Sequence, residues 1–230
     1  MGMEWNNILS GEIEAPEQVL RRMRRSDAGV IQEHSERLET TEYKPEKRLP
    51  YSSVVNVNAS GKLVALACST GGPKALQQVI PKLPENLDAA VVLVQHMPVG
   101  FTASLSARLD EMSEIRVREA QEKNRHEFVL SVREEGARNG LKPCADILYE
   151  SLRESSFEDI TCVIMTGMGA DGTKGILQLK ETNKIYVITQ NAESSTVYGM
   201  PKAIAESGAA DEIKDLDLIA DAIIKHVGVR

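Results

Sequence analysis

From Lys62 onward, short apolar runs alternate with longer segments whose apolar residues recur at helical spacing. The alternation predicts strands at residues 63–68, 90–95, 115–118, 128–133, 160–166 and 185–189. It predicts helices at residues 73–82, 101–111, 143–155, 173–182, 201–207 and 216–227. The runs at 91–94 and 161–165 are almost continuously apolar, as in strands covered on both faces. We therefore expect an α/β fold: a doubly wound, mostly parallel sheet in a Rossmann-like three-layer sandwich.

The first 60 residues have a different pattern. They are rich in charged and small polar residues, with one plausible helix at 16–38 and a linker-like stretch at 40–60 that contains Pro45 and Pro50. We predict two parts: residues 1–60 as a polar N-terminal extension and residues 61–230 as the α/β domain.

Composition narrows the functional classes. The chain has 230 residues and a net charge of -7, which argues against a dedicated nucleic-acid binder. Its three cysteines lack metal-ligand spacing and lie in apolar runs, as expected of buried, reduced thiols. No apolar run is long enough to cross a membrane, and no secretory signal is recognisable at the N-terminus. We expect a soluble, cytoplasmic protein, and the cysteine spacing gives no sign of a metal site.

The first candidate motif is CSTGGP at residues 68–73, where the first predicted strand runs directly into a helix. This puts the Ser69 hydroxyl at a strand end, beside helix-start N–H groups near Ser69 to Gly72 that could stabilise an oxyanion. Gly71 and Gly72 would let the backbone approach a substrate. A serine N-cap before a Gly-rich turn explains the same residues. The motif matches neither the nucleophile elbow of α/β-hydrolases nor a phosphate-binding loop.

A base and its carboxylate partner are expected at two other strand ends. His96 leaves the second strand just before Pro98 and is the histidine best placed to act as a general base. Asp171 lies in a Gly-rich loop after a later strand and could orient His96, although such an Asp is also a common turn former. The same loop frees the Met168 N–H to face a reacting oxygen.

Together these segments closely resemble the catalytic domain of the bacterial chemotaxis protein-glutamate methylesterase family, CheB. The resemblance spans residues 62–227 and lies in CSTGGP at 68–73, QHMPVGFTASLSARL at 95–109, ILYESL at 147–152, VIMTGMGADGTKGI at 163–176 and QNAESSTVYGMPKAIAESGAADEI at 190–213.

The resemblance implies a set of roles. Ser69 would be the nucleophile, His96 the base and Asp171 its orienting carboxylate, while Thr70 and the Met168 backbone would assist at the oxyanion and substrate site. The substrates implied are glutamyl methyl esters on the cytoplasmic helices of methylated chemoreceptors, with deamidation of receptor glutamines as a further activity. The alternative nucleophile, Cys68, belongs to the strand and should point into the core.

Two departures from the family leave other functions open. Family members usually carry an N-terminal receiver domain, which the 60 polar residues do not resemble, so we expect no such control in this chain. The passage at 120–142 is also shorter than usual, which could remove part of the substrate groove. A weakened or inactive relative that binds signalling partners, and a serine hydrolase for another ester or amide, remain alternatives to the methylesterase.

Overall fold

Five parallel strands form one sheet. The structure, a computed structural model, describes residues 61–98, 100–120 and 136–230. Within these ranges the strands are β1 Lys62–Cys68, β2 Ala90–Gln95, β3 Asp159–Ile164, β4 Ile185–Gln190 and β5 Glu212–Lys214. Their order is β2-β1-β3-β4-β5, and every neighbouring pair is parallel. This order confirms the predicted doubly wound α/β fold.

Helices cover both faces of the sheet. The α-helices of the described ranges are α1 Gly72–Val79, α2 Phe101–Met112, α3 Ala145–Ser151, α4 Thr173–Thr182, α5 Met200–Glu206 and α6 Ile219–Val227. Short 3-10 turns at Ile80–Lys82 and Leu152–Glu154 continue α1 and α3, and Leu216–Leu218 leads into α6.

Alternating side chains of β1 divide the core into two layers. Val64, Leu66 and Cys68 pack on one face with apolar residues of α1, α2 and α6. Leu63 and Ala65, like the rest of the alternate set, pack on the other face with α3, α4 and α5. Successive strand residues point to opposite faces, so an apolar run without polar interruptions is what a strand buried between two helical layers requires.

Two strand predictions differ from the structure. Residues 115–118 form no strand: the Val117 N–H donates to the Asp110 carboxylate over 2.8 Å, and Ile115 and Val117 pack against the core without a strand partner. The alternation of apolar residues in this segment therefore reflects side-chain packing and not strand pairing. Strand β5 was missed because it has three residues, and its one apolar side chain, Ile213, is exposed.

Some predictions fall outside the described residues: the strand at 128–133, the helix at 16–38, the linker at 40–60 and most of the shortened passage. The division near residue 60 stays a prediction. Within the described ranges no helix is both long and apolar enough to cross a membrane.

The strand order sets the position of the site. Because β2 lies on one side of β1 and β3 on the other, the connections after β1 and β3 diverge, leaving a crevice at the carboxyl edge of the sheet. Ser69 follows β1 and Met168 lies in the loop after β3, so both are at this crevice.

Candidate active site

Ser69 lies against the loop that follows β3. Its N–H donates to the Thr166 carbonyl over 2.9 Å, which extends the pairing of the two segments beyond the strand ends. A Cβ atom on Gly167 would lie 2.8 Å from Cβ of Ser69, closer than two carbon atoms can pack. A glycine at position 167 therefore makes room for the serine side chain.

The glycines at the start of α1 make room for neighbouring side chains of the protein. Gly71 has a φ of +82°, and a Cβ there would lie 2.5 Å from the Thr196 side chain. A Cβ on Gly72 would lie 2.0 Å from the Gln95 side chain. Pro73 occupies the first turn of α1, as predicted. Both glycines are therefore required by close contacts within the chain, and their approach to a substrate stays a prediction.

Backbone N–H groups around Ser69 divide into occupied and available ones. The Ser69 N–H is bound to the loop after β3, and the Gly72 N–H donates to the Ser69 carbonyl over 2.8 Å. In the parts of the chain that the structure describes, the N–H groups of Thr70, Gly71 and Met168 have no hydrogen-bond partner. These three are the donors that could bind an oxyanion, whereas the Gly72 N–H is committed to the turn.

A buried threonine orients one of these donors. The Thr166 hydroxyl donates to the Thr70 carbonyl over 2.9 Å and accepts from the Val197 N–H, while the Thr166 N–H donates to Oε1 of Gln190 over 2.8 Å. In a planar trans peptide the C=O and N–H point in opposite directions. Because the Thr70 carbonyl points at Thr166, the Gly71 N–H is directed away from it. Thr166 was not predicted to belong to the site, because nothing in the sequence distinguishes it from other threonines near strand ends.

His96 is held in position by its backbone and by its ring. Its N–H donates to the Cys68 carbonyl over 3.1 Å, which continues the β1–β2 ladder by one residue. Nε2 of the ring lies 2.8 Å from Oδ2 of Asp171, with only 10% and 6% of the two side chains exposed. Since an ionised carboxylate only accepts hydrogen bonds, Nε2 carries the hydrogen that Asp171 accepts, and in a neutral imidazole Nδ1 is then the unprotonated nitrogen.

The structure thus brings His96 and Asp171 together and sets Ser69 on the neighbouring strand end. It contains no hydrogen bond between the Ser69 hydroxyl and the His96 ring. A loose nucleophile–base contact is common in active sites without a bound substrate.

Asp171 accepts hydrogen bonds from the N-terminus of α3 as well as from the histidine. The Ala145 N–H donates to Oδ2 over 2.6 Å, and the Asp146 N–H and the Cys144 thiol donate to Oδ1 over 3.0 and 3.2 Å. Burial by itself raises the pKa of Asp171, but the hydrogen bonds from His96 and these three donors outweigh it and hold the pKa well below its ordinary value. Asp171 is therefore ionised at neutral pH.

Helices α3 and α4 cap one another around this carboxylate. Oδ1 of Asp146, in the first turn of α3, accepts from the Gly172 and Gly175 N–H groups over 3.0 and 2.8 Å, at the start of α4. Asp171, one residue before Gly172, caps α3 in return. Asp146 was not predicted to belong to the site, because an acidic residue in a helix's first turn is ordinary and only the packing of the two helices reveals its partners.

Cys68 is not suited to act as the nucleophile. Its side chain is fully buried, and its thiol donates to Oε1 of Gln95 over 3.1 Å. Burial raises the pKa of the Cys68 thiol, so the reactive thiolate is disfavoured. Nor do the described residues contain any group of three or more His, Cys, Asp or Glu side chains arranged to hold a metal ion.

Fold and site together define a doubly wound α/β protein with a serine and an aspartate-bound histidine at adjacent strand ends. Within that class the chain belongs to the CheB methylesterase family, whose family model matches residues 64–223.

Relatives of known name and structure agree with this assignment. The chain is 42% identical over 188 residues to protein-glutamate methylesterase/protein-glutamine glutaminase 1 of Syntrophomonas wolfei, covering 71% of this chain and 53% of that protein. It is 40% identical over 187 residues to the protein of the same activities from Bacillus subtilis, covering 72% and 52%. The crystal structure of the Thermotoga maritima CheB methylesterase catalytic domain superposes with a TM-score of 0.68 at 35% identity, covering 73% of this chain and all of that domain. The chain spans about half the length of its curated relatives.

Proposed function

We propose that this protein hydrolyses glutamyl methyl esters on the cytoplasmic helices of chemoreceptors, and so acts in the cytoplasm in chemotaxis adaptation. The observation that carries the proposal is the Nε2 to Oδ2 hydrogen bond of His96 and Asp171, beside Ser69, in a member of the CheB methylesterase family. Relatives from several organisms are named protein-glutamate methylesterase/protein-glutamine glutaminase.

In the first half-reaction, Oγ of Ser69 bonds to the ester carbonyl carbon while its proton passes to Nδ1 of His96. The carbonyl electrons move to oxygen, and the N–H groups of Thr70, Gly71 and Met168 bind the resulting oxyanion. When the carbonyl re-forms, the bond to the methoxy group breaks. The leaving oxygen takes the proton from His96 and departs as methanol, which leaves a glutamyl ester on Ser69.

In the second half-reaction, the oxygen of a water molecule attacks the carbonyl carbon of the acyl-enzyme while Nδ1 of His96 takes a proton from that water. The bond to Ser69 breaks, the serine oxygen takes the proton back, and the receptor glutamate is released. The ionised Asp171 stabilises the imidazolium in both halves without being protonated itself. The Met168 side chain is 74% exposed and offers apolar contact area to the substrate beside its own N–H.

Deamidation of receptor glutamines is the second candidate activity, and the glutaminase part of the relatives' names favours it. The same acyl-enzyme would form, with ammonia in place of methanol as the leaving group.

The test pairs a chemical probe with the proposed substrate. A serine-directed fluorophosphonate should label Ser69, and methylated receptor membranes should release methanol. Ser69→Ala should abolish both. Ser106→Ala, which removes only a hydroxyl bonded within α2 to the Ala103 carbonyl, should abolish neither.

Each other outcome argues against a specific part of the proposal. Methanol release that survives in Ser69→Ala contradicts the mechanism. Labelling without methanol release contradicts the substrate and favours another ester or amide. Absence of both in the unmodified protein contradicts hydrolysis and favours a relative that only binds its partners.

A further inference from the structure

The side chain of Gln95, the last residue of β2, connects the loop of Ser69 with the loop of His96. Its Nε2 group donates to the Ser69 carbonyl over 2.9 Å and to the His96 carbonyl over 3.0 Å. Its Oε1 accepts from the Cys68 thiol over 3.1 Å. Both amide hydrogens are used. The flipped amide would turn Oε1 toward two carbonyl oxygens, so this network fixes the orientation of the amide.

The contact with the Ser69 carbonyl also orients an oxyanion donor. The peptide between Ser69 and Thr70 is planar, and its C=O and N–H point in opposite directions. Because Gln95 and the Gly72 N–H hold the carbonyl, the Thr70 N–H is directed away from Gln95. One side chain therefore sets the direction of the Thr70 N–H and the backbone position of His96.

The surroundings leave Gln95 little freedom. Its side chain is 4% exposed. A Cβ on Gly72 would lie 2.0 Å from Oε1 of Gln95 and 2.9 Å from the Cys68 sulfur, so the start of α1 closes over the amide. The parallel ladder pairs Gln95 with Cys68 in register, one residue before both candidate catalytic side chains.

We propose that Gln95 is a positioning residue that fixes the Ser69 backbone and its Thr70 N–H relative to His96. This inference rests on the proposed function, in which Ser69 and His96 react. Asp171 binds the His96 ring through Nε2, and among the described residues it forms no hydrogen bond with residues 69–72. Loss of the Gln95 amide should therefore leave the His96–Asp171 pair intact and displace the pair relative to Ser69. A misplacement of about 1 Å can cost on the order of a hundredfold in rate.

The test compares Gln95→Met, which keeps the length of the side chain and removes its donors, with Tyr149→Phe. The Tyr149 hydroxyl is buried and also contacts two backbone carbonyls, those of Ala65 and Val163 over 3.2 and 3.1 Å, away from the site. The readouts are the rate of Ser69 phosphonylation against pH, kcat and KM for a small ester, and thermal unfolding.

For Gln95→Met we expect the plateau of the pH–rate profile to fall by roughly tenfold to a hundredfold, with its midpoint unchanged. The loss should appear in kcat, with KM changed by less than about threefold, because the donors act on the transition state. Tyr149→Phe should stay within about threefold of the unmodified protein, although it also removes a buried hydrogen-bond donor to backbone carbonyls.

Wild-type labelling rates in Gln95→Met overturn the inference. An equal loss in Tyr149→Phe also overturns it, because any buried hydrogen bond would then suffice, and so does a shifted midpoint, which would mean that the His96–Asp171 pair itself had changed. If Gln95→Met is unfolded at the assay temperature, Gln95→Asn, which keeps the amide at shorter reach, is measured in the same way. No labelling of the unmodified protein contradicts the proposed function instead.

Discussion

Asp146 offers a quantitative test of how the fold supports the candidate site. A single oxygen, Oδ1 of Asp146, accepts hydrogen bonds from the buried N–H groups of Gly172 and Gly175. Asp146→Ala removes this acceptor and leaves both groups unpaired, whereas Asp146→Asn retains a carbonyl oxygen in the same place. The two variants therefore separate the hydrogen bonds from the negative charge.

The expected magnitudes follow from that geometry. An unsatisfied buried donor costs about 1–3 kcal/mol, so the loss of an acceptor for two donors in Asp146→Ala should lower the free energy of unfolding by roughly 2–6 kcal/mol. Asp146→Asn loses mainly the charge at the N-terminus of α4, which is worth about 0.3–1 kcal/mol. The loss in the alanine variant is a large part of the free energy of unfolding of a typical domain, which is about 5–15 kcal/mol. The difference should therefore be visible at moderate denaturant concentration.

Urea unfolding followed by circular dichroism measures these differences, and fluorophosphonate labelling of Ser69 at low urea reports on the site. Labelling should slow in the alanine variant, since Asp171 directly precedes the released Gly172 N–H, and should recover in the asparagine variant. An alanine variant whose stability equals that of the asparagine variant would refute the reciprocal capping.

Three further variants test the same site. Asp171→Asn should slow labelling on the order of 10⁴-fold, because an amide group facing Nε2 favours the wrong tautomer of His96. Because folding lowers the pKa of Asp171, its stabilising contribution is present above the ordinary value of 3.8 and is lost as the pH falls below that value. The difference in unfolding free energy between wild type and Asp171→Asn should thus be constant near neutral pH and shrink in acid. A difference that widens in acid contradicts the assignment. Gly72→Ala should destabilise by about 1–3 kcal/mol and slow labelling, because its Cβ overlaps Gln95; a fully stable, fully reactive variant argues against that contact. Cys68→Ala should retain labelling within about tenfold, which is the rate change expected of a small displacement, while complete loss would reopen the thiol mechanism.

Hydrophobic pattern was sufficient for most of the sheet. Strands β1 to β4 were predicted within two residues of their ends because each is an apolar run that must be buried from both sides. The pattern failed at residues 115–118, where Ile115 and Val117 pack on the core without strand pairing, and at β5, whose three residues carry no such run. The pattern of apolar residues indicates which side chains are buried, whereas strand pairing depends on whether another strand lies beside the segment.

The sequence by itself determined the fold class, the family resemblance and the candidates Ser69, His96 and Asp171. The fold class and the candidates follow from local facts, namely apolar runs, their turns and polar side chains near the strand ends, whereas the resemblance rests on the residues of the motifs themselves. Only the tertiary structure decided which backbone donors are unoccupied, which ring nitrogen of His96 faces Asp171, and that Gln95 and Asp146 support the site. Most of those features depend on contacts between residues about 25 positions apart or more, as with Gln95 and Ser69, and hydrogen-bond partners so distant in sequence are set by packing.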